Sequence, residues 1–176
     1  TLLEISDSFK KYFNYPILIG KINNHIIELN QVVEANCEID FFDRSSEIGA
    51  NVNAHSLQFL MVLAIKKILG YEKDVIIENS LDNGSYCEIE GVELDKPLLK
   101  KIETKMQEII DLDLKYTKVS VSRLDAIEFF KRKKRMDKVK MLKYISNSFV
   151  NLYRLDDLYD YFFSEMAPNT KSISDF

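Results

Sequence analysis

One stretch of this chain, residues 54–69, is apolar on almost every side, and the rest of the protein therefore has to surround it. A helix that is hydrophobic all round lies inside a core rather than on a surface. Lys66 and Lys67 near its end suit the helix dipole, and Gly70 is a favourable residue just beyond the end. The sequence predicts a central helix whose buried residues are Leu57, Phe59, Leu60, Met61, Val62, Leu63, Ile65, Ile68 and Leu69.

Length and composition predict a globular chain with one large domain or two small ones. The chain has 176 residues, of which 46% are hydrophobic and 30% charged, and its net charge of −4 gives no overall attraction to nucleic acid. No apolar run approaches the roughly 20 residues needed to cross a bilayer, and no secretory leader is visible. We therefore expect a cytoplasmic protein without a membrane partner. Cys37 and Cys87 are expected to be reduced, partly buried thiols.

Residues 1–43 are predicted to form a first small unit. Thr1 and Glu4 have the spacing of a capping box, so a helix begins here and continues to about Phe13. Strands are predicted at 17–22 and 26–29 across an Asn-Asn turn, followed by a strand at 37–41. The polar segment 43–53 is the predicted boundary with the next unit.

Residues 54–176 are predicted to form a second unit, in which helices pack on antiparallel strands. Alternating or short apolar runs mark the strands, and the helices carry Asp95 and Ser122 as N-caps. After the helix at 54–69, the predicted elements are strands at 75–78 and 86–89, a helix to about 111, a strand at 116–121, a helix from Ser122, and strands at 150–155 and 158–163.

One cluster of positive charge stands out. It consists of Lys131, Arg132, Lys133, Lys134 and Arg135, followed by Lys138, Lys140 and Lys143. Only Asp137 opposes it within the run. Such a cluster is either a solvated helix face and loop or a contact with the phosphates of a nucleic acid or nucleotide. No aromatic residue interrupts the run from 131 to 135, which argues against base stacking inside it.

His55 begins the apolar helix and has no metal-binding neighbour on its own face. Two imidazoles share an ion when they lie one turn apart, but that position holds Phe59. His55 is expected to be a hydrogen-bonded or half-exposed histidine at a helix start, or part of a small-ligand pocket. Only two histidines are present, and no Ser-His-Asp arrangement is visible.

Several weak motifs, taken in order, resemble the N-terminal half of threonyl-tRNA synthetase. Residues 1–5 resemble the helix of a TGS domain, a small β-grasp fold, and residues 20–24 resemble its second hairpin. The resemblance implies that this chain lacks the first hairpin of that fold. Residues 82–86, Asp-Asn-Gly-Ser-Tyr, resemble a turn of the family's editing domain, and residues 64–66 resemble its central helix. The implied fold is α+β, a truncated TGS unit followed by an editing-like domain.

The same resemblance speaks against editing chemistry in this chain. The family's editing site uses a His-x-x-x-His pair and a later Cys-x-x-x-His. The matching positions here are His55, Phe59, Phe162 and Met166. One imidazole cannot hold zinc or activate water, because such sites need about three protein ligands. We therefore expect no catalytic and no metal-binding residues. The implied small-ligand pocket consists of His55, Asp82, Asn83 and Tyr86.

The whole chain also resembles the N-terminal region of bacterial uridine kinase-like proteins of the phosphoribulokinase/uridine kinase family. The segments that carry this resemblance are residues 77–89, 150–153, 159–163 and 167–170. The phosphate-binding G-x-x-x-x-G-K-[ST] motif of a kinase is absent from the chain. The resemblance thus implies a non-catalytic regulatory region. Its partners would be its own C-terminal kinase domain and a small ligand or RNA, and ATP and Mg would serve only that kinase domain.

Two further functions stay open at this point. The first alternative is a tRNA- or RNA-binding module derived from the synthetase, which would use the cluster at 131–135. The second is a residual editing hydrolase, which bound metal would revive.

Overall fold

The computed structural model of the protein describes residues 1–33, 36–81 and 84–173, without the side chains of residues 78–81 and 85. The helices are α1 (Leu2–Asp7), α2 (Glu47–Leu69), α3 (Lys96–Asp111), α4 (Arg123–Arg132) and α5 (Met136–Tyr144). The strands are β1 (Ile17–Ile22), β2 (His25–Glu28), β3 (Ile39–Asp43), β4 (Val75–Leu81), β5 (Gly84–Ile89), β6 (Thr117–Ser122), β7 (Phe149–Leu155) and β8 (Leu158–Asp160). This mixture of helices and antiparallel sheets confirms the predicted α+β class.

The chain divides into two compact units, which are described separately. Unit 1 contains residues 1–115 together with the chain from Ser164 onward, and unit 2 contains residues 116–163. This division, which follows the contacts within the chain, differs from the two units predicted from the sequence at 1–43 and 54–176. The assignment of residues 1–43 to a TGS-like domain and of residues 54–176 to an editing-like domain stays a prediction.

The N-terminal sheet of unit 1 has the strand order β2-β1-β3, all antiparallel. The β1–β2 turn forms at Asn23 (φ 48°) and Asn24 (φ 67°), in the left-handed conformation that asparagine tolerates, as predicted. The capping box of Thr1 and Glu4 is also confirmed. The first helix is shorter than predicted, because it ends at Asp7 and a 3₁₀ turn follows at Lys10–Tyr12.

The central helix α2 begins earlier than the sequence suggested, and this is a correction. It begins at Glu47 rather than at Ala54, so the predicted boundary segment 43–53 contains its first two turns. Ser46 is its N-cap, and the Ser46 hydroxyl accepts a hydrogen bond from the backbone N–H of Gly49 at 3.1 Å. Gly49 lies against Asp43: a Cβ on Gly49 would be 1.9 Å from the Asp43 carbonyl oxygen. Because these two turns are polar, the sequence pattern indicated a loop where the helix in fact begins.

The interior of α2 is the core of unit 1, as predicted. Phe59, Leu60, Leu63 and Ala64 have no exposed surface. Within the described residues, α2 is the one helix with the length and apolar composition of a membrane span: an 18-residue stretch of it has a mean hydropathy of 1.3, and half of that stretch is buried in the protein. The core helix of a folded domain has the same length and composition. The 23 residues of α2 exceed the predicted apolar stretch at 54–69 because the helix begins earlier.

Lys66 is a buried cation at the end of α2. It is 7% exposed, and its ammonium donates hydrogen bonds to the carbonyls of Tyr71 (3.1 Å) and Lys73 (2.9 Å). The charge therefore lies where the helix dipole is negative and where the chain turns away after Gly70. The sequence predicted a favourable cation at this position but not its burial.

The rest of unit 1 contains a hairpin, a helix and a returning segment. Strands β4 and β5 pair antiparallel, as predicted, and Asp95 caps α3 through the N–H of Leu98 at 2.8 Å. Cys37 and Cys87 are free thiols of intermediate burial. The chain leaves unit 1 after Lys115, which forms an isolated β-bridge with Asn169 on the returning segment.

The returning segment is fixed to unit 1 by buried hydrogen bonds. Thr170 is fully buried, and its hydroxyl accepts from Leu114 N at 2.9 Å and donates to Ile109 O at 3.0 Å. The backbone N–H of Thr170 also donates to Leu114 O at 2.8 Å. The exit and the return of the chain are therefore neighbours on unit 1.

Unit 2 is a three-stranded sheet of order β6-β7-β8 with a helical hairpin, α4 and α5, packed on it. Ser122 caps α4, as predicted, and accepts from Asp125 N at 3.1 Å. The β7–β8 turn forms at Asp156 (φ 55°), and β8 ends at Asp160 rather than at Phe163. Its apolar core consists of Ala126, Ile127, Phe130, Val139, Leu142, Val150 and Leu152. Helix α5, inside the basic stretch, was not predicted as a separate element.

Candidate functional site

The basic cluster lies at the turn between α4 and α5. Lys131 and Arg132 form the last turn of α4, Lys133 is its C-cap, and Lys134 adopts a left-handed conformation (φ 59°) that reverses the chain. Arg135 is the residue before α5. The five predicted cations are therefore adjacent in space as well as in sequence, and they surround one tight turn.

Arg135 differs from the other four because it is held in place by carboxylates. It forms two hydrogen bonds with Asp137, at 3.0 and 2.8 Å, and lies 3.8 Å from Asp160. Lys138 also pairs with Asp160, at 3.2 Å, and donates to the carbonyl of Tyr161 at 2.8 Å. Burial alone would raise the pKa of Asp137, but the hydrogen bonds and charge of Arg135 lower it overall. These contacts attach the turn to β8.

This geometry adds a second carboxylate that the sequence did not indicate. Asp137 opposes the cluster from within the run, and Asp160 joins it from a distant part of the sequence. Asp160 is 6% exposed and pairs with two cations. Sequence spacing contains no signal for this pairing, since it depends on the packing of α5 against β8.

The four remaining cations of the turn, Lys131, Arg132, Lys133 and Lys134, are all exposed to solvent. In the described part of the chain, no ion pair is recorded for any of them. Helix α5 continues the basic stretch: Lys140 and Lys143 are exposed, whereas Val139 and Leu142 are buried. We call these six side chains, Lys131, Arg132, Lys133, Lys134, Lys140 and Lys143, the basic surface of unit 2.

The charge of the protein is strongly segregated between the units. Unit 2 contains eleven Lys and Arg against six Asp and Glu, a net charge of +5, within a chain whose total is −4. The remainder of the chain therefore has a net charge of −9. The sequence-wide charge concealed this contrast, because the acidic remainder outweighs a compact basic unit. A local positive field of this kind attracts a polyanion even when the whole chain is acidic.

His55 lies in the third turn of α2 and is half-buried. Its Nδ1 atom is buried and has no hydrogen-bond partner among the described residues. Burial lowers the pKa of His55, and the main chain at Asn51, one turn earlier, partly opposes this shift. Burial therefore favours the neutral form of the ring.

The two positions of unit 1 that align with the other editing ligands hold buried apolar side chains. Phe59 has no exposed surface and Met166 is 1% exposed. Ser56, which sequence reasoning did not single out, bonds to the segment of Met166: its hydroxyl donates to the Met166 sulfur at 3.6 Å and accepts from Ala167 N at 2.8 Å. The backbone N–H of Met166 donates to the carboxylate of Glu28 at 3.2 Å. Apolar packing and structural hydrogen bonds occupy this region.

The predicted small-ligand pocket is only partly visible. Asp82 and Asn83 lie outside the described residues, and Tyr86 is 50% exposed on β5. Phe162 lies in unit 2, where the Lys138 ammonium is 5.4 Å from its ring centroid. Within the described residues, no group of three or more His, Cys, Asp or Glu side chains is placed to hold a metal ion. The assignment of His55, Asp82, Asn83 and Tyr86 to one pocket stays a prediction.

Comparison with known proteins finds threonine–tRNA ligases among the relatives of this chain. The chain is 27% identical to the threonine–tRNA ligase of Clostridium kluyveri over 151 aligned residues, which are 85% of this chain and 24% of that protein. It is 28% identical over 172 residues to that of Carboxydothermus hydrogenoformans (97% and 27%) and 31% identical over 155 residues to that of Aquifex aeolicus (86% and 24%). These relatives are threonine–tRNA ligases. No protein-family model matches the chain.

The match confirms the resemblance to threonyl-tRNA synthetase, with a TGS-like and an editing-like region in one α+β chain. The chain spans about a quarter of the length of the curated relatives it matches. Nothing in these relatives supports a uridine kinase parent, which stays a prediction.

Proposed function

We propose that this chain is a tRNA-binding module related to threonine–tRNA ligase, and that the basic surface of unit 2 makes the contact. The relatives carry tRNA in their name, which makes tRNA the first RNA to consider. The observation that carries the proposal is the turn at 131–134, where four adjacent cations face solvent in a unit of net charge +5. Phosphate contacts of this kind supply affinity without needing a particular base sequence.

The geometry of the turn favours phosphate binding over a merely solvated face. Arg135 and Lys138 already satisfy the nearby carboxylates, so Asp137 and Asp160 are neutralised before any ligand arrives. Within the described residues, no ion pair of the four exposed cations competes with a partner.

Editing chemistry is not part of the proposal. Two of the positions that align with editing ligands, Phe59 and Met166, are fully packed apolar side chains that cannot hold zinc. His55 alone cannot activate water. The proposed module therefore binds tRNA without hydrolysing an aminoacyl ester on it.

The test is a titration of fluorescently labelled tRNA, read by anisotropy, at several salt concentrations. If the four turn cations each contact a phosphate, the slope of log K against log salt is about −3 to −4. Lys133→Glu is expected to weaken binding and to reduce the slope by about 1. The matched control is Lys101→Glu, which reverses an exposed lysine on α3 of acidic unit 1 and should change neither quantity. Salt-independent binding, or equal effects of the two reversals, would refute the proposal.

One observation favours a second candidate, a small-ligand site in a regulatory region. The buried Nδ1 of His55 has no partner among the described residues, and a ligand with a hydrogen-bond donor would satisfy it. This would fit the predicted N-terminal region of a cytoplasmic uridine kinase-like protein, with ATP and Mg bound only in a kinase domain and no membrane partner. Titration of nucleosides, followed by the NMR signals of the His55 ring, tests it. A saturable shift that His55→Gln abolishes would support this candidate over the RNA-binding one.

A further inference from the structure

Tyr144 is the last residue of α5 and is 91% exposed. Among the described residues, no other large hydrophobic side chain is as exposed. No ring contact, cation contact or hydrogen bond of its side chain is recorded there. Both faces of the phenol ring are therefore open to solvent. An aromatic ring placed in this way does not contribute to the core, and its removal leaves the packing of unit 2 intact.

The position of Tyr144 on its helix connects it to the basic surface of unit 2. Lys140 lies four residues earlier, one turn away on the same side of α5, and Lys143 is its neighbour. Val139 and Leu142 bury the opposite side of the helix. A helix of 9 residues is roughly 13 Å long, so the ring lies about that far from the turn at 131–134. Lys140 and the open ring of Tyr144 therefore lie on the solvent side of α5, a helix that begins next to the turn at 131–134.

Rings and cations in this combination bind nucleic acid that has unpaired bases. Lysines contact the phosphates, while a flat aromatic side chain stacks on a base. In a double helix the bases are stacked on each other and cannot reach such a ring. RNA proteins accordingly use exposed aromatic residues for single-stranded ends, loops and bulges. The run from 131 to 135 contains no aromatic residue, but Tyr144 supplies one at the end of the next helix, α5.

We propose that Tyr144 stacks on an unpaired base and that unit 2 therefore prefers RNA with a single-stranded segment beside a phosphate-contacting region. This inference rests on the proposed function, because the ring acts next to the cations that supply the affinity. It adds a preference that charge alone cannot give, since phosphates are present on every RNA.

Tyr12 provides a matched comparison within the same protein. It is 71% exposed, and the Lys11 ammonium lies 4.9 Å from its ring centroid. Tyr12 belongs to unit 1, and the chain outside unit 2 has a net charge of −9. A part of the chain with a net negative charge attracts a polyanion less than unit 2 does, although Lys11 lies beside the Tyr12 ring. The two tyrosines therefore separate the effect of an exposed ring from that of an exposed ring in a basic field.

The experiment compares two labelled RNA hairpins of equal length, one blunt-ended and one with an unpaired tail, by anisotropy at one salt concentration. Tyr144→Ala is expected to weaken binding of the tailed RNA at least about fivefold and to leave the blunt RNA within about twofold. Tyr144→Phe should retain the preference, because it keeps the ring, and Tyr12→Ala should bind both RNAs like the wild type. Circular dichroism confirms that each variant is folded.

The possible failures can be told apart. If the wild type binds neither RNA, the proposed function is wrong and this inference falls with it. If the wild type binds both RNAs in a salt-dependent way and Tyr144→Ala changes neither affinity, or lowers both equally, then only the stacking role is wrong. Loss of the preference in Tyr12→Ala as well would assign it to aromatic rings in general and would also overturn the inference.

Discussion

Gly49→Ala should destabilise unit 1, although alanine is the better helix residue. Gly49 lies in the first turn of α2, where replacing glycine by alanine normally gains about 1 kcal/mol. Here the new Cβ would be 1.9 Å from the carbonyl oxygen of Asp43 and 2.5 Å from its carbonyl carbon. Both atoms belong to the backbone, so no side-chain rotation relieves the overlap.

The size of the effect follows from this distance. Ordinary contacts of a Cβ begin near 3.4 Å, so the start of α2 and the end of β3 must separate by more than 1 Å. Overpacking of a well-packed site costs about 1–3 kcal/mol, and here it also threatens the hydrogen bond from Gly49 N to Ser46. We expect a net loss of about 2 kcal/mol, which lowers the melting temperature of a chain of this size by roughly 4–8 °C.

The assay is thermal and urea unfolding followed by circular dichroism. Gly20→Ala is the matched control, because the nearest atoms to its added Cβ are 3.7 Å away, an ordinary contact, and its midpoint should change little. If Gly49→Ala were as stable as the wild type, or more stable, helix propensity would outweigh the close approach and the described start of α2 would be wrong.

The remaining predictions concern two polar groups of α2. Lys66→Met should lower the free energy of unfolding by about 2–3 kcal/mol, since it leaves two carbonyls without their charged donor, while Lys67→Met at the exposed neighbour should cost far less in the same urea titration. For His55, burial lowers the pKa below its usual 6.5, so the unfolded chain binds the proton more readily. Its contribution to stability is therefore complete above about pH 6.5 and is lost as the pH falls toward the lowered pKa. Urea midpoints at pH 7.5 and 5.5 should show a larger acid-induced loss in the wild type than in His55→Gln, and equal losses would contradict the assigned burial.

Local signals in the sequence were sufficient for most elements of the fold. The asparagine pair at 23–24, the N-caps Asp95 and Ser122, and the apolar pattern of α2 each describe an interaction between residues close in sequence, and the structure confirms them. The start of α2 was missed because Gly49 and the polar residues around it resemble a turn. Their helical state depends on contact with Asp43, which propensity does not contain.

The sequence predicted the cations of the candidate site but not the residues that they contact. The cations at 131–135 are visible in the sequence, but Asp160 pairs with Arg135 from 25 positions away. The division of charge between the units depends on where the chain folds into compact bodies, and the total of −4 conceals it. Tyr144 likewise shows no sequence signal, because only the packing of Val139 and Leu142 shows which side of α5 faces solvent.

The bridge between Lys115 and Asn169 has a consequence for how far the sequence of unit 2 can change. Antiparallel partners lie only about 5 Å apart, so the chain leaves for the 48 residues of unit 2 and returns from them at neighbouring positions of unit 1. Lengthening, shortening or exchanging such an insert hardly alters the entropy of closing the chain. Replacing unit 2 by a segment of another length or charge should therefore leave the hydrogen bonds around Thr170 in place, and with them the closure of unit 1.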